Sequence, residues 1–227
     1  MFGTKSKTLV VIPAFNEELS VAAVVSEIRE RTGLDVLVVN DMSSDETTDE
    51  AESAGATVLN LCCQLGAWGA TQTGIRYALQ KGYARCVTCD ADGQHDVNAI
   101  SALLAESKAS NSDIVIGSCI SRGSAARHIA WKYFKVITGL PVNDLTSGFR
   151  VYSFRAMQKV ALSRASIIDY QDISVLLLLK SQKMTFKEVD VCMVAREDGK
   201  SRIFNSWLAV AKYMMLSSII ALCRISK

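Results

Sequence analysis

A chain of 227 residues has room for one domain with a sizeable core, or for a domain with a small appendage. A composition of 49% hydrophobic and 21% charged residues excludes a disordered or low-complexity protein, and a formal net charge of +2 excludes a strongly basic nucleic-acid binder on global grounds. Two prolines and thirteen glycines argue against a turn-dense all-β sandwich.

The chain runs from Met1 straight into a strand-like segment with no signal-peptide pattern, and its seven cysteines are an odd number, so a reducing, cytoplasmic setting is expected. Leu9, Val10, Val11 and Ile12 form an apolar run closed by Pro13, which predicts a buried strand. Leu19, Val21, Ala22, Val25 and Ile28 recur at helical spacing over 18–32, and Gly33 stops that helix. Val36 to Val39 reads as a second buried strand. Helices near 45–54 and 69–81 and strands near 57–61 and 86–89 follow, then a helix near 97–108 and a strand from Asp113 to Gly117. Alternating strands and helices with continuous apolar strand runs predict an α/β fold, a mostly parallel sheet covered by helices on both faces.

In such sheets ligands bind beyond the carboxyl ends of the strands. The first strand is followed by Pro13-Ala14-Phe15-Asn16-Glu17, the second by Asn40-Asp41-Met42-Ser43-Ser44-Asp45, and the strand ending at Cys89 by Asp90-Ala91-Asp92-Gly93-Gln94-His95-Asp96. Three carboxylate-bearing loops therefore converge on one sheet edge. Asp90 and Asp92, two apart where the chain turns, can both reach one hard divalent cation, and Gln94 adds an amide oxygen. Oxygen-only donors favour Mg²⁺ or Mn²⁺, which keep positions open for phosphate oxygens.

The second half changes character. Between Ser121 and Arg164 the cations Arg122, Arg127, Lys132, Lys135, Arg150, Arg155, Lys159 and Arg164 face a single acid, Asp144. A basic segment opposite an acidic, metal-ready loop suits a substrate carrying several phosphates. An apolar helix is expected over 173–179, behind Asp172. The segment from Phe204 to Cys223 is long enough to cross a bilayer, but Lys212 near its middle would cost roughly 2.5–3.5 kcal/mol there, so spanning is disfavoured. An interfacial helix, a subunit contact, or a helix packed on the domain remain open for it. Residues 1–203 are thus expected to form one domain and 204–227 a C-terminal apolar amphipathic helix.

Other motifs have blander readings. Cys86-x-x-Cys89 lies in an apolar strand with no second pair, which favours core packing over zinc or redox chemistry. His95 reads as a loop residue near the metal, His128 as an exposed helix residue, and Trp131, Tyr133 and Phe134 as packing. No G-x-G-x-x-G follows the first strand, which disfavours a dinucleotide site.

The motifs in order resemble glycosyltransferase family 2. Asp90 to Asp96 resembles its metal-binding segment, Ile12 to Glu17 its opening I-P-A-[FY]-N-E, and Val39 to Thr47 its V-D-D-G-S-x-D-x-T. Gly66 to Ile75 resembles its G-x-x-x-A-x-x-x-G-I helix start. Asp144 to Arg150 and Arg196 to Arg202 resemble the D-x-x-S-G-F-R and R-x-x-G-x-S-[KR] of the branch that glycosylates polyprenyl phosphates, which includes dolichol-phosphate mannose synthase.

That resemblance implies a GT-A-like fold and an inverting, metal-dependent transfer from a UDP- or GDP-linked sugar to a polyprenyl phosphate. It places the nucleotide at Pro13, Ala14, Glu17, Asp41 and Ser43, and Mg²⁺ or Mn²⁺ at Asp90, Asp92 and Gln94. Arg196, Ser201 and Arg202 would close over the phosphates, Arg150 would meet the sugar or acceptor phosphate, and Arg122 and Arg127 are further acceptor-phosphate candidates. Asp172 lies where other members place a base. Asn40 and Cys119 depart from the pattern, which usually has Asp and Arg there. The implied setting is the cytoplasmic face of a membrane, peripherally bound, with a homo-oligomer or a small membrane subunit as partner and no nucleic acid. Two rivals stand beside this reading: a sugar or protein hydroxyl as acceptor, and a non-catalytic nucleotide-sugar-binding subunit.

Overall fold

The computed structural model describes residues 7–120, 125–162, 165, 173–193, 215 and 218, with side chains omitted for 125–127. Seven strands, β1 (Thr8–Ala14), β2 (Asp35–Asn40), β3 (Thr57–Asn60), β4 (Arg85–Thr88), β5 (Ile114–Ser118), β6 (Arg150–Ser153) and β7 (Phe186–Asp190), form one sheet in the order β3-β2-β1-β4-β6-β5-β7. The helices are α1 (Val21–Thr32), α2 (Thr47–Ser53), α3 (Gly66–Gln80), α4 (Ala99–Ala109), α5 (Ala125–Thr138), α6 (Phe154–Val160) and α7 (Ile173–Ser181).

Strands β3, β2, β1 and β4 are parallel to their neighbours, as are β5 and β7, while β6 runs antiparallel between β4 and β5. Alternate residues of the strands serve two cores. Val10, Ile12, Val38, Val87 and Val151 pack with Val25 and Ile28 of α1 and Ile100 and Leu103 of α4. Leu9, Val11, Val39, Ile114 and Tyr152 pack on the other face with Ile75 of α3, Phe134 of α5, Met157 of α6 and Leu176 of α7. Burial on both faces is why these strands read as unbroken apolar runs.

Two glycines fix α3. Gly66 opens it with φ of 76°, a left-handed conformation that strains any L side chain. Gly74 lies so close to the sheet that a Cβ would fall on Val11 Cγ1, with Val39 Cγ2 at 3.2 Å. Both valines are fully buried and stiff about χ1. Gly74→Ala is therefore expected to destabilise the fold by about 1–3 kcal/mol through overpacking, read as a lower urea midpoint with an unchanged slope. An unchanged midpoint would show that the α3 contact is looser than described.

The chain order places the site. From β1 it moves outward to β2 and β3, then returns to pair β4 on the other side of β1. The strand order thus reverses between β1 and β4, the position at which open α/β sheets form their ligand crevice, beyond the carboxyl ends of the strands. Because β6 is antiparallel, its first residue, Arg150, pairs with Thr88 at the carboxyl end of β4 and with Ile116 of β5. A loop entering β6 thereby reaches the same edge as the loops leaving β1, β2 and β4. Neither β6 nor β7 is among the elements expected from hydrophobic pattern, since both are short, and β7 is only partly buried.

Candidate active site

The loops after β1 and β2 are laced together by side chains bonding across to main chain. Asn16 N–H donates to Ser43 Oγ at 2.9 Å and Glu17 N–H to Thr47 Oγ1 at 2.9 Å. In the other direction Ser44 N–H donates to Asn16 Oδ1 at 2.9 Å and Glu46 N–H to Glu18 Oε2 at 3.0 Å. Asn16 adopts φ of 54°, a region Asn tolerates better than most residues. Desolvation pulls the Asp45 carboxyl up, but hydrogen bonds from the Thr47 hydroxyl and from the N–H groups of Glu18 and Thr47 outweigh it and hold its pKa below the usual value. Pro13 is half-buried and Ala14 buried under this loop pair, with Phe15 exposed at its rim.

Asp41 is almost entirely buried, and its carboxylate is already engaged. Leu65 N–H donates to Oδ1 at 2.6 Å and Gly66 N–H to Oδ2 at 2.8 Å. It thus satisfies unpaired amides at the start of α3 and complements the positive end of that helix. Asn40 turns away from the crevice: its Nδ2 donates to Thr48 Oγ1 and Asn60 Oδ1, each at 2.8 Å, and its Oδ1 accepts from Ser43 N–H. An amide donates and accepts at once in this ring; a carboxylate cannot.

After β4, the side chains of Asp90 and Asp92 are both partly exposed, while Ala91 between them is buried. Gln94 N–H donates to Asp92 Oδ1 at 3.1 Å, closing a turn through Gly93, whose φ is 71°. Among the described residues, no three His, Cys, Asp or Glu side chains gather as a metal cage. Two carboxylates and one amide oxygen at an open edge instead fit a hard cation that completes its shell with phosphate oxygens and water. His95 is buried rather than exposed in its loop, and its Nδ1 accepts from Asp90 N–H at 3.1 Å.

The loop before β6 is pinned from several sides. Asp144 is fully buried; its Oδ2 accepts from Cys119 N–H at 3.3 Å and its Oδ1 from Thr146 N–H at 3.0 Å. Glu188 of β7 accepts from Asn143 N–H and Asp144 N–H, and Thr88 Oγ1 donates to Gly148 O at 2.6 Å. Arg150, expected at the sugar or acceptor phosphate, lies fully buried behind this loop, with Nη2 3.5 Å from Leu145 O. The antiparallel strand brings Arg150 to the correct edge but carries it beneath the surface. Cys86 and Cys89 are buried, and burial pushes both thiols well above their ordinary pKa, as inert core groups.

The structure thus brings Pro13, Ala14, Glu17, Asp41, Ser43, Asp90, Asp92 and Gln94 to one edge of the sheet. Arg122, Asp172, Arg196, Ser201, Arg202 and most of the expected 204–223 helix lie outside the described residues, as does the side chain of Arg127. Pattern reading put His95 in the loop near the metal but missed its burial, because its ring partner Phe149 is far away in sequence. The one signal on offer was its position directly after Gln94.

Known proteins resemble this chain in sequence and in fold. The family described as Glycosyl transferase family 2 matches residues 9–165. An undecaprenyl-phosphate mannosyltransferase of Micrococcus luteus is 29% identical over 215 residues, 87% of each chain. A polyprenol monophosphomannose synthase of Mycolicibacterium smegmatis is 27% identical over 225 residues, 91% of this chain and 84% of that one. Among solved structures, glucosyl-3-phosphoglycerate synthase from Mycobacterium tuberculosis with Mg²⁺ and uridine diphosphate superposes with a TM-score of 0.75 at 17% identity, over 97% of this chain and 79% of that one.

Proposed function

The chain belongs to glycosyl transferase family 2, and from that premise we propose that it transfers a sugar from a nucleotide-sugar to a polyprenyl phosphate in one inverting displacement that requires Mg²⁺ or Mn²⁺. The observation that carries the donor half is the open Asp90–Gln94 turn beside the crevice between β1 and β4. What supports the acceptor is the naming of both mannosyl-transferring relatives, which this chain matches over most of its length.

Breaking the anomeric C–O bond leaves a nucleoside diphosphate that gains negative charge as it departs. In this reading Asp90, Asp92 and Gln94 hold the divalent cation, which when bound neutralises that charge. The laced loops carrying Pro13, Ala14, Glu17 and Ser43 hold the nucleoside, with Asp41 keeping the start of α3 in register beneath it. Arg196, Ser201 and Arg202 close over the phosphates, and their N–H and O–H donors act where water is excluded. Arg150 contributes positive charge from below the Asp144–Phe149 loop. A phosphate monoester is already anionic at neutral pH, so it needs positioning by Arg122 and Arg127 but no general base. Asp172 then serves the architecture of the site rather than proton removal.

The test is a panel of UDP- and GDP-linked sugars incubated with Mg²⁺ or Mn²⁺ and undecaprenyl or dolichyl phosphate. Metal-dependent appearance of a lipid-linked sugar is expected, with transfer retained in Asp172→Asn. Donor binding without transfer to any lipid phosphate would overturn the acceptor assignment, and loss of all transfer in Asp172→Asn would point to a hydroxyl acceptor.

A lipid acceptor requires the protein at a membrane surface. No helix among the described residues is long and apolar enough to cross one, but α5 offers a surface that can lie on it. Ile129 and Val136, one face of α5, are 69% and 84% exposed, beside the exposed Lys132 and Lys135. Apolar side chains flanked by cations suit the headgroup boundary of anionic lipid. The Tyr133 hydroxyl of the same helix lies 3.3 Å from Ser218 Oγ. The chain is expected to co-sediment with vesicles rich in anionic lipid, and Ile129→Glu with Val136→Glu to weaken that by about tenfold. Equal sedimentation of the double variant would exclude α5 as the contact.

A further inference from the structure

His95 is held more firmly than a loop residue needs to be. Its imidazole stacks on Phe149 with ring centroids 4.8 Å apart and an interplanar angle of 14°. Phe149 is itself fixed at the start of β6: its N–H donates to Ser147 Oγ, and its carbonyl accepts from Gly117 N–H at 2.9 Å. Gly117 leaves the space that the ring occupies, since a Cβ there would come within 2.7 Å of Phe149 Cδ1. The main chain of His95 forms an antiparallel bridge with Met193. Ring and backbone are thus clamped from two elements far apart in sequence.

Both ring nitrogens face Asp90, and Cys89 Sγ also lies 3.6 Å from Nδ1. Nδ1 accepts from Asp90 N–H at 3.1 Å, so in the neutral ring the proton sits on Nε2. That Nε2 is shut off from water and makes no hydrogen bond, and 3.6 Å away lies Asp90 Oδ2. A buried N–H with no acceptor is costly and rare in native structures. A rotation of the half-exposed Asp90 side chain by a few tenths of an ångström would satisfy it.

We infer that His95 is the positioning residue of the Asp90 carboxylate: Nδ1 fixes the main chain of Asp90, and Nε2–H takes Oδ2, so that Oδ1 is the oxygen turned towards the cation. This inference rests on the proposed role of Asp90 as a metal ligand. Groups that orient a ligand in this way commonly change metal affinity by about 10–100-fold when removed. A residue that only filled space beside Phe149 would change stability instead.

Three substitutions separate the contributions. His95→Phe keeps a ring on Phe149 and removes both nitrogens; His95→Gln retains an amide N–H near the place of Nε2; His95→Asn retains an acceptor near the place of Nδ1. The readout is Mn²⁺ affinity in the presence of UDP, and of GDP in parallel, by calorimetry or by the spin resonance of free Mn²⁺, with the melting temperature of each variant recorded. His95→Phe is expected to weaken Mn²⁺ binding at least tenfold with its melting temperature nearly unchanged, and His95→Gln to recover most of the affinity, more than His95→Asn. Wild-type affinity in His95→Phe, or a His95→Gln variant that folds but binds no better than His95→Phe, would overturn the inference. Failure of the unaltered protein to bind Mn²⁺ with either nucleotide would instead remove the metal reading on which it stands, a result distinct from any difference among the variants.

Discussion

Replacing Asp92 with Asn is expected to lower sugar transfer by about 10²–10³-fold while leaving the fold intact. The substitution is nearly isosteric, and the side-chain oxygen that accepts from Gln94 N–H at 3.1 Å is an acceptor in either residue. The turn through Gly93 therefore survives. What disappears is one of the two negative charges at an open edge where oxygen donors face the crevice. A hard cation loses affinity steeply as ligand charge is removed, and the departing diphosphate loses its counter-charge with it. The measurement is kcat/KM across a Mn²⁺ titration, with thermal melting as the control for folding. Activity within tenfold of the unaltered protein at saturating Mn²⁺ would remove Asp92 from the metal site.

The second large effect is expected at Asp41, and it is of a different kind. Asp41→Ala leaves the N–H groups of Leu65 and Gly66, both exposed residues, without the buried carboxylate that accepts from them. Hydrogen bonds to a charged group contribute about 1.5–3 kcal/mol each, and the helix loses a favourable charge at its N-terminus, so a loss of about 3 kcal/mol is expected. Asp41→Asn offers one acceptor but turns its NH₂ towards the other donor, and falls between. Urea denaturation gives the total, and hydrogen exchange at Leu65 to Ala67 locates it. The resemblance assigns Asp41 to the nucleotide, and each of its oxygens also accepts one N–H at the start of α3, so nucleotide affinity is read beside stability. A variant with unchanged stability and exchange but weakened nucleotide binding would show that Asp41 serves the ligand and not α3.

Much of the β1–β5 half was legible because its physics is local. Runs such as Leu9 to Ile12 and Val36 to Val39 are buried on both faces, and each closes on a polar loop, so strand, edge and site follow from one pattern. The place of the acids at 90 and 92 was legible for the same reason, since they directly follow an apolar strand run. β6 was not, because Arg150 to Ser153 is short, contains a charged residue, and is a strand only where β4 and β5 flank it. The burial of Arg150 and the seat of His95 were hidden likewise. One depends on strand direction and the other on Phe149 across the sheet, and neither leaves a trace in spacing. Asn40 shows the intermediate case: its departure from the family pattern was visible, but the reason, a hydrogen-bonded ring with Thr48 and Asn60, needed β3 alongside β2.

The sheet order has a mechanical consequence. Among the described strands, β5 pairs only with β6 and β7, and never with β4. The four residues of β6 are therefore the sole ladder joining β3-β2-β1-β4, which carries the acidic loops, to the β5–β7 pair. A relative displacement of these two bodies would be felt along that short seam, which begins at Arg150, directly after the Phe149 that seats His95, and at the bridge from His95 to Met193 beyond β7. The geometry of the acidic edge thus follows both the register of β6 and the docking of one residue past the end of β7.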